Sequence, residues 1–236
     1  MTPPPACVER LARTGRTRVD GLLPDDQARA LHALLAGGPV DWQRAIETPG
    51  DVEVPVPVFE GLPIEEQVRI LSKVHGEARD GFQFIFDRWR VDVGGVPSPL
   101  APEPLAELHR RFNSDAFLAY ARALTGDDRI AYVDAQATRY LPGHFLNRHT
   151  DQLDRAGRLY AYVLNLCPTW RIEWGGLLQF LDDAGDVTET LTPGFNTLNL
   201  FKVPQGHAVS MVAPFAGAPR LSITGWWRAF PPEPLG

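Results

Sequence analysis

The first half of the chain carries hydrophobic residues at helical spacing. Residues 25–36 place four apolar side chains on one face and are followed by two glycines, so a helix is predicted there. A second helix is predicted from about Ile64 to His75, ending at Gly76. Residues 105–124 predict one or two more helices, with a break near Asn113-Ser114.

After residue 128 the pattern changes to short apolar segments separated by Gly, Pro, Asn and Asp, which is typical of a β-sandwich or barrel. One earlier segment, residues 80–92, also alternates like a strand. We expect an α+β fold in one catalytic domain over 1–236. Residues 1–127 would supply helical support and entrance loops, and 128–230 an antiparallel β-barrel core. The strands of this core are predicted near 130–140, 158–166, 176–181, 186–191, 196–203, 207–213 and 220–229.

Composition and charge narrow the class of protein. The formal net charge of −6 and a sequence pI near 5.5 argue against binding nucleic-acid phosphates. The two cysteines do not make a disulfide framework. The N-terminal residues lack the apolar core of a signal peptide, and no apolar run approaches the roughly 18 residues of a membrane helix. We therefore expect a cytoplasmic protein that binds neither membranes nor nucleic acids.

One histidine lies in a pattern suited to metal binding. His149-Thr150-Asp151 can direct an imidazole and a carboxylate to one point if it ends a strand, although such a pair is also common in solvated loops. His207 follows a turn and is expected to open a strand, and Arg220 comes 13 residues later. Two histidines and one carboxylate form the facial triad of non-haem Fe(II) oxygenases. A buried arginine would suit the far carboxylate of a dicarboxylic cosubstrate.

Strand alternation places several polar residues on shared faces. Such faces either line a barrel that holds a polar cofactor or are exposed to solvent, and the pattern alone leaves both open. The residues concerned are Arg220, Ser222, Thr224 and Trp226 on one strand, Asp134, Gln136, Thr138 and Tyr140 on another, and Tyr160 and Tyr162 on a third.

Four segments together carry a family pattern. The segments RYLPGHFLNRHTD, YAYVLNLCPTW, WGGLLQFLD and RLSITGWW occur in this order between about Tyr132 and Phe230. In sequence and spacing this span resembles the catalytic core of 2-oxoglutarate/Fe(II)-dependent dioxygenases. Within that family it is most similar to cytoplasmic prolyl hydroxylases of oxygen-sensing and translation proteins. The resemblance implies a double-stranded β-helix, a jelly-roll or cupin-like barrel, with supporting N-terminal helices.

The resemblance also implies roles for particular residues. His149, Asp151 and His207 match the iron ligands, which are the catalytic residues. Arg220 and Tyr162 match residues that hold the C5 carboxylate of 2-oxoglutarate. The remaining matches are Tyr140 beside the cosubstrate, Thr224 in the cofactor-binding set, and Trp226 as a substrate-binding residue.

The function implied is oxidative. With Fe(II), 2-oxoglutarate and O2 as cofactor and cosubstrates, the enzyme would hydroxylate a prolyl residue of a protein or peptide while 2-oxoglutarate yields succinate and CO2. A translation factor or ribosomal protein is the partner suggested by the resemblance. Two alternatives are a hydroxylase of a free amino acid or other small metabolite, and a non-catalytic β-barrel binding module.

Two features near the expected entrance have two interpretations each. Residues 46–63 are Pro-rich and poorly periodic, which fits either a lid or a plain connector. Five arginines flank the motifs and either meet an acidic substrate or form a solvated surface, which we favour because 21 of the 23 basic residues are arginines. These five are Arg139, Arg148, Arg155, Arg158 and Arg171.

Overall fold

The computed structural model describes residues 1–47, 52–152 and 157–232. Its helices are α1 Pro5–Thr14, α2 Asp25–Gly37, α3 Val56–Glu60, α4 Ile64–Ala78, α5 Glu103–Phe112 and α6 Asp115–Thr125, with a short 3₁₀ turn at Ile172–Trp174. Its strands are β1 Arg16–Asp20, β2 Gln43–Ile46, β3 Val52–Pro55, β4 Phe84–Arg90, β5 Asp92–Val93, β6 Val96–Pro97, β7 Tyr132–Val133, β8 Gln136–Tyr140, β9 Phe145–His149, β10 Arg158–Leu166, β11 Leu178–Leu181, β12 Val187–Leu191, β13 Phe195–Lys202, β14 His207–Val209 and β15 Arg220–Arg228.

A curled antiparallel sheet forms the centre of the molecule. Its strand order is β1-β13-β10-β15-β8-β4-β9-β14-β11-β12, with β2, β3 and β7 attached to the side of this path. The prediction of an antiparallel β core supported by helices is therefore confirmed. Strands distant in sequence become neighbours, so β9 and β14 lie side by side although nearly 60 residues separate them.

Alternation along the strands gives the sheet two different faces. On β15, Leu221, Ile223 and Trp227 point to a large apolar core that also takes the inner faces of α2, α5 and α6. Residues between them, such as Thr224, point to the concave side and line a cavity. The apolar faces thus form the helix-packed core, and the polar faces line the inside of the curl. The polar faces of β8 and β15 therefore line the cavity, whereas Tyr160 and Tyr162 of β10 point to the apolar core.

The first half of the chain contributes more strand than its pattern predicts. Besides its helices it supplies β1, which pairs with β13, and β4, which pairs with both β8 and β9. These pairs lie inside the main sheet, so the sheet is not confined to residues 128–230. β1 has only five residues, and its partner in the sheet lies some 180 residues further along the chain. A local window over such a segment contains too few periods to reveal a strand.

Helix boundaries follow local chemistry in one case and tertiary packing in another. The predicted break near 113–114 is confirmed, because Ser114 caps α6 by accepting a hydrogen bond from the Phe117 backbone N–H. The predicted end of α4 at Gly76 is wrong, since this helix continues to Ala78. A glycine inside a helix costs only about 1 kcal/mol. Val74, packed against β4 and β9, holds the helix in place there.

A further strand that the pattern did not predict leads to the metal site. β9 was not among the expected strands, although it carries the segment that leads into the His-x-Asp motif. Its residues Phe145 and Leu146 pair with β4, and this sequence mixes polar and apolar residues without regular alternation. The strand predicted over 130–140 is divided into β7 and β8. Among the described residues, no helix is long and apolar enough to cross a membrane.

Candidate active site

Strand register brings two of the expected metal ligands together. His149 is the last residue of β9 and pairs directly with His207, the first residue of β14. Directly paired residues project their side chains to the same face of the sheet. The two imidazole rings accordingly lie with their centroids 4.0 Å apart, on the concave side.

The carboxylate comes from the loop that leaves β9. Asp151 adopts a left-handed backbone conformation with φ of 60°, which is uncommon for residues other than glycine. In this conformation its Oδ1 lies 3.4 Å from His149 Nε2 and its Oδ2 lies 3.3 Å from His207 Nε2. The candidate ligand atoms of the three residues lie within 4.8 Å of one another. The structure thus brings the whole predicted triad to one point.

The hydrogen bonds of the imidazoles suit metal ligation. His149 Nδ1 lies 2.9 Å from the Asn147 carbonyl oxygen, and His207 Nδ1 lies 2.8 Å from the Gln205 carbonyl oxygen. Each Nδ1 therefore donates to a carbonyl, which leaves the Nε2 lone pair free for a cation. Burial opposes the charge on Asp151, but its contacts with His149 and His207 hold the pKa of the carboxyl well below its usual range. The donor set fits a divalent iron site with open positions.

A cavity of about 300 Å³ adjoins the triad and contains Arg220 on its wall. The Arg220 side chain is 1% exposed, and burial lowers the pKa of its guanidinium. Its Nη1 donates to Ser222 Oγ at 3.4 Å, whereas Nε and Nη2 have no partner among the described residues. Buried donors without acceptors cost about 1–3 kcal/mol each. A carboxylate of a cosubstrate would satisfy both donors, as the sequence predicted.

Three further predicted residues also line this cavity. Tyr140 pairs with Arg220 across the β8–β15 ladder, and the guanidinium lies 5.1 Å from the centre of its ring. Burial raises the pKa of the Tyr140 hydroxyl, which therefore stays protonated. Thr224 accepts a hydrogen bond from Gln136 Nε2 at 3.2 Å. Trp226 lies on the same face of β15 and also lines the cavity.

The assignment of Tyr162 to the cosubstrate carboxylate is wrong. Tyr162 borders the cavity, but it pairs with Gly225 and therefore projects to the helix-packed face of the sheet. Its ring packs edge-to-face on Phe112, and its hydroxyl donates to the Asp134 carbonyl oxygen at 2.9 Å. The next residue, Val163, points into the curl beside Thr224. A one-residue offset along a strand exchanges the two faces.

Sequence reasoning also missed part of the cavity wall. β4 contributes Phe84, Phe86 and Arg88, which alternate along the strand and share its concave face. Alternation within the predicted strand at 80–92 contained this signal. Arg158, assigned above to a solvated surface, lines the same cavity.

The other flanking arginines lie elsewhere. Arg139 bonds Asp87, Arg148 donates to the Asp182 carbonyl oxygen, and Arg171 pairs with Glu173 on the surface. Arg155 lies outside the described residues. For these three described arginines, the surface or structural interpretation is the one that the contacts support.

The candidate lid is only partly described. Residues 48–51 lie outside the described ranges, and the rest of 46–63 contains β3 and α3. β3 pairs with β2, and its Glu53 bonds both Arg88 and Arg90 of β4. The described part of this segment is thus regular structure joined to the sheet, and the lid stays a prediction.

Comparison with known proteins agrees with this geometry. Residues 135–228, from the residue before β8 to the end of β15, match the family model of the 2OG-Fe(II) oxygenase superfamily. This span contains all three triad residues and Arg220. This part of the chain is similar to the 2OG-Fe(II) oxygenases. The predicted cofactors, Fe(II), 2-oxoglutarate and O2, are those of this superfamily, and the predicted resemblance to its prolyl hydroxylases is confirmed by the relatives that match.

Two curated relatives bear the name prolyl 3-hydroxylase OGFOD1. The Mus musculus protein is 30% identical over 132 residues, covering 53% of this chain and 24% of its own length. The Xenopus laevis protein is 35% identical over 103 residues, covering 41% of this chain and 20% of its own length. The chain therefore spans about a quarter or less of the length of these relatives.

Solved structures show the same fold across nearly the whole chain. A prolyl-4-hydroxylase from Pseudomonas putida is 21% identical with a TM-score of 0.59, covering 94% of this chain and 97% of that one. A 2OG-Fe(II) oxygenase family protein from Burkholderia pseudomallei is 12% identical with a TM-score of 0.64, covering 97% and 92%. A Trichoplax adhaerens prolyl hydroxylase, solved with a hypoxia inducible factor peptide, is 17% identical with a TM-score of 0.58, covering 94% and 87%. The predicted double-stranded β-helix is confirmed.

Proposed function

We propose that this protein is an Fe(II)- and 2-oxoglutarate-dependent dioxygenase that hydroxylates a prolyl residue in a protein or peptide. The observation that carries the proposal is the position of Arg220. Arg220 lines the same cavity as the His149–Asp151–His207 triad, and two of its donors have no partner among the described residues. A metal-ligand set and a carboxylate-binding arginine on one cavity wall fit a chelating dicarboxylate cosubstrate. The named relatives support a prolyl substrate.

The residues that line the cavity would have different roles in the reaction. His149, Asp151 and His207 would hold the iron, and Arg220 would bind the far carboxylate of 2-oxoglutarate. Bound iron supplies the activation of O2 that couples decarboxylation of the cosubstrate to hydroxylation of a C–H bond. Tyr140 and Phe86, whose rings stack at 5.1 Å, form an apolar wall that limits water around Arg220. Exclusion of water strengthens the ion pair between the arginine and the cosubstrate.

A peptide substrate is supported by the open side of the cavity. Phe82 is 47% exposed, lies 5.9 Å from the His149 ring centroid, and lines the cavity. An exposed aromatic ring beside a metal site offers a contact surface for a chain that continues out of the cavity. A free amino acid or other small metabolite is the second candidate, because a cavity of about 300 Å³ also suits a small molecule.

The partner is proposed from the family resemblance given by the sequence. A translation factor or ribosomal protein would present an exposed proline on a loop, which fits a cavity that opens beside Phe82. The cytoplasm is the proposed location, since Fe(II) and 2-oxoglutarate are available there.

The direct test measures succinate release by the anaerobically purified protein after addition of Fe(II), 2-oxoglutarate and O2. Reactions contain proline-containing loop peptides from translation proteins, free L-proline, or no substrate. We expect stimulation by a peptide and a mass gain of one oxygen on its proline. Stimulation by free proline alone would favour the second candidate. Absence of metal-dependent succinate with every substrate would contradict the proposal. The His149→Ala variant measures the background release of succinate.

A further inference from the structure

A second cavity adjoins the one beside the triad. It has a volume of about 140 Å³ and is bordered by Arg90 and Asp92 on its far side. The two cavities share five lining residues: Gln136, Arg158, Thr224, Gly225 and Trp226. These shared residues form the boundary between the metal-site cavity and the second cavity. A ligand that occupies both cavities must pass Arg158.

Arg158 is held firmly at this boundary. Its guanidinium carbon lies 3.5 Å from the centre of the Trp226 ring, which is van der Waals contact between two flat groups. Its Nη1 donates to the Asp151 carbonyl oxygen at 3.2 Å. A planar fork fixed by a stack and one hydrogen bond loses little further entropy when it binds a ligand.

The charge of Arg158 is not matched by a carboxylate in contact. Among the described residues, no aspartate or glutamate lies within ion-pair distance of it, whereas neighbouring Arg228 pairs with Asp134 and Arg90 with Glu53. The Arg158 Nε is buried and has no partner in the described ranges, and neither has the Trp226 indole N–H. A buried donor without an acceptor costs free energy, and an acceptor on a bound ligand would remove that cost.

We propose that Arg158, stacked on Trp226, is a binding site for a carboxylate of the substrate, next to the metal centre. A carboxylate matches the guanidinium fork in shape and charge, and the indole N–H offers another donor beside it. The carboxylate belongs either to an acidic side chain adjoining the target proline of a peptide or to the α-carboxyl group of a free amino acid. The inference rests on the proposed function, and it specifies the substrate class.

The test separates binding from catalysis. Kd values are measured anaerobically on protein loaded with Mn(II) and 2-oxoglutarate. The probes are blocked peptides Gly-Glu-Pro-Glu-Gly, Gly-Gln-Pro-Gln-Gly and Gly-Lys-Pro-Lys-Gly, together with L-proline and L-prolinamide. Wild type is compared with Arg158→Gln, Arg158→Lys and the surface control Arg171→Gln. Kd values for Mn(II) and 2-oxoglutarate show whether the hydrogen bond to Asp151 acts only on the metal site.

We expect wild type and Arg171→Gln to bind a carboxylate ligand at least about tenfold more tightly than its amide counterpart. Arg158→Gln should bind the two within about twofold, with Arg158→Lys in between, because a point charge lacks the fork. Preference for the Glu peptide assigns the site to an acidic side chain, and preference for L-proline over its amide assigns it to an α-carboxyl group.

Equal binding of acid and amide by wild type would overturn the proposal, and so would a preference that Arg158→Gln retains. Because the wild-type comparison needs no variant, weakened metal binding in Arg158→Gln leaves the test decisive. Parallel aerobic reactions with Fe(II) test the function separately. Hydroxylation without charge preference would reject only the carboxylate site, whereas tight acidic binding without hydroxylation would reject only the proposed reaction. Failure of every probe to bind would overturn the site.

Discussion

At the scale of single residues, the site contains two kinds of polar group. The Asp151 carboxylate lies beside both histidines, and Arg220 has two donors without a partner among the described residues. The three metal ligands are oriented by backbone carbonyls and by one another, and Arg220 is oriented by Ser222. Each residue therefore has a measurable role that differs from that of its neighbours.

Loss of a metal ligand should abolish metal-dependent stabilisation. In wild type, Mn(II) at a hundredfold excess over its Kd should raise the free energy of unfolding by about 2.7 kcal/mol. His149→Ala and Asp151→Ala should show no such increase and no turnover of 2-oxoglutarate, because two ligands do not hold the ion. Urea unfolding with and without Mn(II) measures the effect. The exposed His75→Ala variant should respond like wild type, and a full response in Asp151→Ala would disprove the ligand assignment.

Loss of the Arg220 side chain should weaken the binding of 2-oxoglutarate. Arg220→Ala should weaken 2-oxoglutarate binding by about 10- to 150-fold, since a hydrogen bond to a charged group contributes roughly 1.5–3 kcal/mol. Calorimetry on the Mn(II)-loaded protein gives the Kd, and Mn(II) affinity itself should be unchanged. Arg171→Ala, on the surface, is the matched control. An unchanged Kd for 2-oxoglutarate would show that its carboxylate binds elsewhere.

Tyr162 should matter for stability and not for the cosubstrate. Tyr162→Phe removes the hydrogen bond to the Asp134 carbonyl and should lower the free energy of unfolding by about 1 kcal/mol. Its Kd for 2-oxoglutarate should stay within about twofold of wild type. Calorimetry and chemical unfolding measure the two quantities. A large loss of cosubstrate affinity would reinstate the role implied by the family resemblance.

At the scale of elements, buried ion pairs join strands on the face opposite the cavity. Asp87 of β4 is fully buried and accepts hydrogen bonds from Arg44 of β2 and Arg139 of β8. The guanidinium carbon of Arg139 lies 4.8 Å from the centre of the Trp42 ring, and that of Arg44 lies 4.6 Å from the centre of the Phe59 ring. One carboxylate thus links three adjacent strands.

Removal of this carboxylate should be costly. Asp87→Asn should lower the free energy of unfolding by about 3–5 kcal/mol, because it leaves two arginines in a buried site without a countercharge. Urea midpoints measure the loss. Asp80→Asn removes an equal charge from an exposed pair with Arg79 and should cost no more than about 1 kcal/mol. Equal midpoints for the two variants would contradict the proposed role of Asp87 in linking the three strands.

Helix boundaries show which structural elements can be predicted from the local sequence. The end of α5 and the start of α6 were predictable because Ser114 is a local cap. The end of α4 was not, because burial of Val74 against other elements outweighs the cost of Gly76. Likewise β9 was missed because its pairing with β4 and β14 is long-range.

At the scale of the whole molecule, stability should depend on pH through His144. This side chain is 4% exposed, and burial lowers the pKa of its imidazole to about 4, with the charges of Arg44 and Arg139 acting in the same direction and Asp87 opposing them. Between pH 6.5 and 4 the unfolded chain therefore binds a proton at this position that the folded chain does not. Stability is lost as the pH falls through this interval, by about 3 kcal/mol in total.

The measurement compares the pH dependence of wild type with that of His144→Gln. The difference between their free energies of unfolding should change by about 3 kcal/mol between pH 6.5 and 4. Burial raises the pKa of Asp134 to about 6, so its contribution falls as the pH rises, but it is present in both proteins and cancels. His75→Gln, at an exposed position, should follow wild type. Parallel curves for wild type and His144→Gln would contradict the prediction.

The spacing of hydrophobic residues predicted the β core and the supporting helices, and the family resemblance implied the metal ligands and Arg220. The directions of the side chains became known from the folded structure. The pairing of His149 with His207, the opposite faces of Tyr162 and Val163, and the place of Arg158 in the cavity all depend on register. Register is set by contacts between strands far apart in the chain, and a shift of one residue reverses every side chain. For that reason, the residue types of a site can be inferred from the sequence, whereas the orientations of their side chains require the strand register.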